Sequence, residues 1–237
     1  MPQARPGGRH LLRSRRLAEA IVADAGIAAG DLVVEIGAGS GMITTPLLAA
    51  GARVVALEPD RQLASRLRRA CPAAEVVADD ALRHRWPDEP FRVVSNLPFA
   101  HAADICRALF GDPSLPLRSA DLIVEWDFAA KRARLWPSTA QTVLWSAWYE
   151  LAVVRRIEPV SFVPVPSVAA GVLRARRRVR PLVHPRDAAG YEAFVRAGFR
   201  RDGARERDPH AWAVSWKKES SGRARTVTRM TRHGRIR

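Results

Sequence analysis

The stretch that decides the fold is Leu32-Val33-Val34-Glu35-Ile36-Gly37-Ala38-Gly39-Ser40-Gly41. A short, mostly apolar run is followed by three glycines at alternate positions. An apolar run that ends in a glycine-rich turn is typical of a strand buried in a parallel sheet. Glycine allows the backbone to turn sharply and to approach a ligand closely. Because ligands of open parallel sheets bind at the carboxyl ends of the strands, we predict a ligand site at residues 37–41.

Predicted strands and helices alternate on both sides of this stretch. Strands are expected at residues 32–36, 53–57, 75–78, 91–95 and 120–125, and helices at residues 14–25, 42–50, 60–70, 101–110 and 188–200. This alternation predicts an α/β fold whose mostly parallel sheet has helices on both faces. Two further strand-like runs, residues 151–157 and 168–175, are too close in the chain for a parallel crossover. We therefore predict an antiparallel hairpin at the edge of the sheet.

Acidic residues lie at three successive strand ends of this pattern. Glu35 lies in the first strand, Glu58 follows the second and Asp80 follows the third. Glu58 can accept hydrogen bonds from ribose hydroxyls, and Asp80 from the amine of an adenine, which would also fit NAD. The glycine spacing differs from the dinucleotide fingerprint, and Glu35 would repel a pyrophosphate. The pattern therefore favours a cofactor with an ammonium and a sulfonium group, although each acid alone could be a helix cap or a surface charge.

The four residues Asn96-Leu97-Pro98-Phe99 directly follow the fourth predicted strand. The exocyclic amine of a nucleobase is a poor nucleophile because its lone pair is delocalised into the ring. The side-chain oxygen of Asn96 and the carbonyl of Leu97 could hold and orient its two hydrogens. Pro98 stiffens the turn, and Phe99 offers a stacking face for a base that is unpaired or flipped out of its helix. The alternative interpretation is an ordinary Asn-x-Pro turn.

A second candidate segment is Phe162-Val163-Pro164-Val165-Pro166-Ser167-Val168, which lies between the two edge strands. Its two prolines predict an extended and rigid loop. Phe162 could close the pocket of the target base from the side opposite to Phe99. The alternative is a core phenylalanine at the end of a loop.

The charge of the chain is strongly positive and unevenly distributed. Its 237 residues include 39 lysines and arginines and 24 acidic residues, for a formal charge of +15. Residues 174–237 hold 19 of the basic residues and 6 of the acidic ones. This distribution favours a polyanionic partner, although a C-terminal quarter that only increases solubility is the alternative. The predicted contacts to RNA phosphates follow the last predicted strand: Arg174, Arg176, Arg177 and Arg178.

Several common classes of protein do not fit the sequence. The two cysteines, Cys71 and Cys106, lie in unrelated contexts, so no metal site is expected. No apolar run is long enough to span a membrane, and no apolar segment follows the basic N-terminus as it would in a signal peptide. We expect a cytoplasmic monomer that binds neither metal nor membrane.

The order of these motifs resembles that of the ribosomal RNA adenine dimethyltransferases. This superfamily includes the erythromycin-resistance (Erm) methyltransferases and the small-subunit dimethyladenosine transferases. The resemblance covers about residues 7–178. Within it, Asp121-Leu122-Ile123-Val124-Glu125-Trp126-Asp127-Phe128-Ala129-Ala130-Lys131-Arg132-Ala133 is more similar to the actinobacterial Erm proteins than to the small-subunit branch.

Similarity to the Erm family implies a Rossmann-like class I methyltransferase that uses S-adenosylmethionine. It implies transfer of one or two methyl groups to N6 of an adenine in 23S ribosomal RNA, at the macrolide-binding region and before the ribosome is fully assembled. Resistance to macrolides, lincosamides and streptogramins would follow. The implied cofactor contacts are Gly37, Gly39, Glu58, Asp80 and Asn96. The implied catalytic residues are Asn96, Leu97, Pro98 and Phe99, and the implied stacking partners of the target base are Phe99 and Phe162.

The sequence departs from the family at both ends. Where the family has Gln-Asn/His-Phe-Leu, this chain has Arg9-His10-Leu11-Leu12, so His10 and Leu12 are the candidates for the N-terminal cofactor contact. The family also carries a compact helical C-terminal domain, whereas residues 179–237 here are polar. We therefore predict a methyltransferase domain at residues 1–178 and a small, reduced, basic and partly helical segment at residues 179–237 with a mobile tail.

Three alternatives stay open at this point. A small-subunit (16S) dimethyltransferase would perform the same chemistry on a different RNA. A DNA adenine-N6 methyltransferase would use the same Asn-x-Pro-aromatic tetrad, but no separate DNA-recognition domain is evident in the sequence. A non-catalytic RNA-binding relative or transcription factor would keep the fold, although the intact residues 96–99 argue against it.

Overall fold

The computed structural model describes the backbone of residues 10–201 and 207–233, and side chains as far as residue 221. In this part of the chain the strands are β1 (Leu11–Leu12), β2 (Leu32–Ile36), β3 (Arg53–Leu57), β4 (Glu75–Val77), β5 (Phe91–Asn96), β6 (Leu117–Glu125), β7 (Tyr149–Ile157), β8 (Phe162–Val163) and β9 (Ala170–Arg177). The α-helices are α1 (Arg15–Ala25), α2 (Thr44–Ala49), α3 (Arg61–Ala70), α4 (Ala102–Phe110), α5 (Trp126–Arg132), α6 (Ala140–Ser146), α7 (Ala188–Arg200) and α8 (Pro209–His233).

The central sheet has seven strands within the described residues, in the order β4-β3-β2-β5-β6-β9-β7. Neighbouring strands from β4 to β6 are parallel, and β9 pairs antiparallel with β6. The predicted α/β fold with a mostly parallel sheet is therefore confirmed. β9 and β7, the two strands predicted at the edge, lie side by side there. All five residues of β2 are buried, which explains why the run from which the prediction began is apolar except for Glu35.

Side chains and a glycine fix the ends of the helices that flank the first strands. Ser14 Oγ accepts a hydrogen bond from the N–H of Leu17 at 3.2 Å and begins α1. Gly26 ends α1 with a φ of 65°, a left-handed conformation that glycine adopts without strain. Asp60 Oδ1 accepts from the N–H of Gln62 at 2.8 Å and begins α3. The Gly26 cap directs the chain into β2, and the Asp60 cap begins α3 directly after the carboxyl end of β3.

The chain divides into two compact units. Of the described residues, the first unit contains 10–133 and 150–177, and the second contains 134–149, 178–201 and 207–233. The sequence placed residues 134–149 in the methyltransferase domain, whereas their contacts place them with the C-terminal helices. One reason is Trp148, whose Nε1 donates to the carbonyl of Val183 at 3.1 Å.

Aromatic rings form the core of the second unit. The ring of Phe194 on α7 lies 5.8 Å from that of Trp212 and 5.7 Å from that of Trp216, both on α8. A Cβ atom at Gly198 would lie 2.5 Å from Trp212 Cη2, and one at Gly190 would lie 2.8 Å from Trp216 Cη2. The two glycines of α7 therefore make room for the indole rings of α8. The helices of this unit pack around a core of their own.

Helix α8 extends further than the sequence pattern suggested. Apolar residues are sparse after Trp216, and we expected a mobile tail beyond Lys217. The helix continues to His233, and residues 234–237 lie outside the described residues. Of the helices in the described chain, none is both long and apolar enough to cross a membrane.

Candidate active site

The glycine turn after β2 has a backbone that other residues disfavour. Gly37, Gly39 and Gly41 have φ angles of 71°, 58° and 85°. The N–H of Gly37 donates to the carbonyl of Leu57 at 2.8 Å, which ties the turn to the end of β3. A Cβ atom at Gly41 would lie 2.8 Å from Leu67 Cδ1, because α3 packs closely against the turn. Backbone conformation and close packing therefore explain the glycine pattern.

The carboxylate of Glu58 braces this turn. The exposed fraction of Glu58 is 0%. Its Oε2 accepts from the N–H of Gly39 at 2.9 Å, and its Oε1 accepts from the N–H of Asp60 at 2.9 Å. Each carboxylate oxygen can accept more than one hydrogen bond. The predicted contact between Glu58 and a ribose hydroxyl is compatible with these bonds and stays a prediction.

Glu35 is a second buried carboxyl group at this edge. Thr44 Oγ1 donates to Glu35 Oε2 at 2.5 Å. Burial raises the pKa of Glu35 to about 8, so its carboxyl group is mostly protonated at neutral pH. Glu35 lines a small cavity of about 20 Å³ together with Leu12, Gly37 and Asn96. A cation placed there would favour the carboxylate form of Glu35, and an anion would not.

A larger cavity of about 250 Å³ lies beside the glycine turn. Ile36, Leu57 and Pro98 contribute apolar walls at the ends of β2, β3 and β5. Asp80 contributes a carboxylate, and its Oδ1 accepts from the N–H of Leu82 at 3.0 Å. Apolar walls with a few placed polar groups are typical of a site for a small molecule. The position is the carboxyl edge of the sheet that the sequence predicted.

Hydrogen bonds place Asn96 beside the glycine turn. Ser95 Oγ accepts from the N–H of Ile36 at 2.7 Å, which holds the end of β5 against β2. Asn96 Nδ2 donates to the carbonyl of His10 at 2.7 Å. Because a carbonyl can only accept, this bond determines which end of the amide is the oxygen. Asn96 Oδ1 is buried and has no hydrogen-bond partner among the described residues.

The turn that follows Asn96 is tied to the neighbouring strand. The N–H of Leu97 donates to the carbonyl of Ile123 on β6 at 3.1 Å. The carbonyl of Pro98 accepts from the N–H of His101 at 2.9 Å, and the chain continues into a short 3-10 helix, Phe99–His101. These bonds hold the backbone on both sides of the predicted amine-binding position.

The N-terminal strand joins the edge loop at the same place. β1 pairs antiparallel with β8, with Leu12 opposite Phe162. His10 Nδ1 donates to the carbonyl of Pro164 at 2.8 Å, and the His10 ring lies 5.3 Å from the ring of Phe99. Residues 10–12 and the loop that begins at Phe162, which are separate candidates in the sequence, therefore form a single hydrogen-bonded unit. It brings His10 and Leu12 to the edge of the sheet that holds Asn96.

The two predicted stacking residues differ in exposure. Phe162 is fully buried, and its ring meets that of Phe99 edge-on at 6.2 Å and 74°. Phe162 thus lies in the core, as in the alternative interpretation, and supports its neighbour. Phe99 is partly exposed and is the ring with a face available to a target base.

Arg174 and Arg176, which are predicted to contact RNA, form hydrogen bonds within the chain. Arg174 Nη2 donates to the carbonyl of Asp24 at 2.7 Å, and Arg176 Nη2 donates to that of Ala25 at 3.1 Å. These carbonyls end α1, where the helix leaves them without partners of its own. Arg174 Nε also donates to the buried carboxylate of Asp121 at 2.6 Å. Both arginines therefore anchor α1 to the sheet.

Arg177 and Arg178, the other two predicted RNA contacts, also donate hydrogen bonds to carbonyl groups. Arg177 Nη1 donates to the carbonyl of Leu115 at 2.8 Å, and Arg178 Nε donates to that of Ser146 at 2.9 Å. These bonds hold the four guanidinium groups against the fold, and the predicted contacts to RNA phosphates stay a prediction. Because β9 extends to Arg177, three of the four arginines belong to the sheet and lie within reach of neighbouring carbonyls.

Two residues that position the site were not singled out from the sequence. Thr44 holds the carboxyl group of Glu35, and Ser95 joins β5 to β2. The sequence position of each residue gave a weak indication of this role. Thr44 follows the glycine turn closely, and Ser95 is a polar residue inside an apolar strand, directly before Asn96.

Comparison with known sequences identifies relatives of this chain. The family model described as ribosomal RNA adenine dimethylase matches residues 5–205. The mycinamicin-resistance protein MyrB of Micromonospora griseorubida is 39% identical over 165 residues, which cover 69% of this chain and 52% of that protein. An rRNA methyltransferase of Streptomyces thermotolerans is 37% identical over 198 residues, covering 81% of this chain and 65% of that protein. The chain spans about half to two thirds of the length of these relatives.

Solved structures agree with the sequence relatives. The 23S rRNA methyltransferase ErmE superposes with a TM-score of 0.77 at 25% identity, covering 87% of this chain and 98% of that one. A dimethyladenosine transferase from Plasmodium falciparum has a TM-score of 0.69 at 22% identity, covering 81% and 71%, and shows the fold alone. Because the family model matches most of its length, the chain belongs to the ribosomal RNA adenine dimethylase family.

Proposed function

We propose that the chain is an S-adenosylmethionine-dependent methyltransferase that acts on N6 of an adenine in 23S ribosomal RNA. The observation that carries the proposal is the buried, unpartnered Oδ1 of Asn96. A buried acceptor without a partner costs about 1–3 kcal/mol. Such a cost is expected where a ligand supplies the missing donor, and the amine of an adenine is a donor of this kind.

The residues around Asn96 would orient the amine. A hydrogen bond to Asn96 Oδ1 would hold one amine hydrogen and aim the nitrogen at the methyl donor, and orientation of this kind supplies much of the rate. The His10 carbonyl fixes the amide, and the bond from Leu97 to Ile123 fixes the backbone. Phe99 would hold the ring of the flipped base by stacking.

The residues at the carboxyl edge of the sheet fit the cofactor. When bound, S-adenosylmethionine supplies a methyl group on a positively charged sulfonium. Asp80 would accept from its adenine amine, and Glu58 from its ribose hydroxyls. Glu35 would become ionised beside its ammonium group. The residues that would hold the cofactor are His10, Leu12, Gly37, Gly39, Glu58, Asp80 and Asn96.

Similarity to named relatives supports the choice of RNA. ErmE is a 23S rRNA methyltransferase, and MyrB is a mycinamicin-resistance protein. We infer that this chain methylates the macrolide-binding region and thereby confers resistance to macrolides, lincosamides and streptogramins. The target base must be unpaired or flipped out to reach Asn96. We propose that the substrate is large-subunit RNA in the cytoplasm before the ribosome is fully assembled.

Methyl transfer to three nucleic acids tests the proposal. The purified chain is incubated with methyl-labelled S-adenosylmethionine and naked 23S RNA, naked 16S RNA or duplex DNA. We expect label in 23S RNA, at an adenine in the macrolide-binding region. Label in 16S RNA or in DNA instead would replace the substrate with one of the alternatives. Cofactor binding without transfer to any of the three would indicate a non-catalytic relative.

A further inference from the structure

Trp136 is exposed in the segment between α5 and α6. Its exposed fraction is 62%, and that of the adjacent Leu135 is 70%. Among the exposed large hydrophobic residues of the described side chains, Trp136 is the aromatic one. Indole rings are normally buried because they contribute large apolar areas to a core. Because tryptophan is enriched at binding interfaces, an indole exposed to water is a candidate contact for a partner.

The sequence around Trp136 is basic and free of acidic residues. Residues 128–149 contain Lys131, Arg132 and Arg134 and neither aspartate nor glutamate. Lys131 and Arg134 are exposed. An excess of positive charge attracts a polyanion, whereas a neutral protein partner would not require it. The charge therefore favours a nucleic acid as the occupant of this surface.

The segment also has fixed points next to the exposed ring. Pro137 is buried, and Thr139 Oγ1 accepts from the N–H of Thr142 at 3.3 Å where α6 begins. A tryptophan has two side-chain torsions, so ordering it on a ligand costs little conformational entropy. The ring is therefore suited to hold a planar ligand.

We propose that Trp136 is a stacking platform for an unpaired base of the RNA substrate, with Arg134 beside the flanking phosphate. The proposal rests on RNA being the substrate, as in the proposed function. An aromatic face combined with arginine is the chemistry by which proteins hold single-stranded nucleic acid. The platform would add affinity for unpaired RNA in general, and selection of the target adenine would remain with Asn96 and Phe99.

Binding of two RNA probes tests the platform. One probe is an RNA hairpin with unpaired adenines in its loop, and the other is a fully paired duplex RNA of the same length. We expect Trp136→Ala to weaken hairpin binding by about fivefold or more and to change duplex binding less than about twofold. Trp136→Phe should restore most of the affinity for the hairpin. Stacking releases no counterions, so Trp136→Ala should keep the salt dependence, whereas Arg134→Ala should make it shallower.

Val179→Ala is the matched control, because Val179 is 99% exposed and is also flanked by arginines. It should leave the binding of both probes unchanged. Equal hairpin affinity of Trp136→Ala and wild type would overturn the platform, and so would full affinity of Trp136→Leu, which keeps apolar surface without an aromatic ring. If wild type binds the hairpin through Trp136 but methylates no RNA, the platform stands and the proposed function fails.

Discussion

Asn96 and His10 are joined by a hydrogen bond of 2.7 Å from Asn96 Nδ2 to the His10 carbonyl. His10 is held in turn by Pro164, whose carbonyl accepts from His10 Nδ1 at 2.8 Å. The bond uses the donor end of the Asn96 amide and leaves its acceptor end for a ligand. The orientation of the amide therefore depends on three segments that are far apart in the chain.

Replacement of Asn96 should affect catalysis more than RNA binding. Asn96→Ala removes the acceptor for the amine, and Asn96→Asp removes the donor for the His10 carbonyl. We expect both variants to transfer methyl groups more than about tenfold more slowly in a single turnover. Filter binding should show nearly unchanged retention of RNA. A wild-type rate for Asn96→Ala would mean that another acceptor orients the amine.

Phe99 and Phe162 should respond differently to truncation because one is partly exposed and the other is buried. Phe99→Tyr keeps an aromatic face and should retain methyl transfer, whereas Phe99→Ala should lose it. Phe162→Ala should lower the free energy of unfolding by about 3–5 kcal/mol, as measured by denaturant titration. Robust transfer by Phe99→Ala would exclude stacking, and a fully stable Phe162→Ala would contradict its place in the core.

Glu58→Ala should weaken cofactor binding. The substitution removes the predicted ribose contacts and also the brace between Gly39 and Asp60, at a cost of about 1–3 kcal/mol in binding free energy. Titration calorimetry with S-adenosylmethionine measures the effect, and circular dichroism checks that the variant is folded. NAD serves as the control ligand and should not bind. Unchanged affinity in a folded variant would remove Glu58 from the site.

Arg174→Ala should lower stability and leave the salt dependence of RNA binding unchanged. The substitution leaves the buried carboxylate of Asp121 without its ion pair, which costs about 3–5 kcal/mol in similar cases. Burial already raises the pKa of Asp121, so an unpaired carboxylate there is unfavourable. The double variant Arg174→Ala with Asp121→Ala should recover part of the loss. A stable Arg174→Ala with a shallower salt slope would show that Arg174 contacts RNA phosphates and contributes little to stability.

Glu35 should make stability depend on pH. Its folded pKa is about 8, above the ordinary value of 4.5, so between these values the folded state binds more protons than the unfolded state. The free energy of unfolding should therefore decrease as pH rises through this window, with a slope of up to about 1.4 kcal/mol per pH unit. Glu35→Gln stays neutral and should show a flatter profile in urea titrations. Identical profiles for both proteins would show that Glu35 does not titrate in this window.

Local sequence patterns were insufficient to predict the core of the second unit. Its core depends on Gly190 and Gly198, which admit the rings of Trp216 and Trp212. A glycine inside a helix normally lowers confidence in that helix, and isolated tryptophans in a basic segment give little periodicity. The role of these glycines and tryptophans is evident only from the packing of α7 against α8.

The sequence by itself determined the seven strands of the central sheet, helices α1 to α4 and α7, the glycine turn at residues 37–41 and the place of Asn96 at the end of β5. These features depend on residues that are close together in the chain, because the periods of strands and helices, the helix caps and the turns each involve only a few neighbouring positions. The tertiary structure alone decided that Phe162 is buried, that Arg174 anchors α1 and that His10 orients Asn96. Each of these features depends on which distant segment of the chain lies next to the residue. The local sequence pattern does not indicate burial or hydrogen bonds between segments that are far apart in the chain.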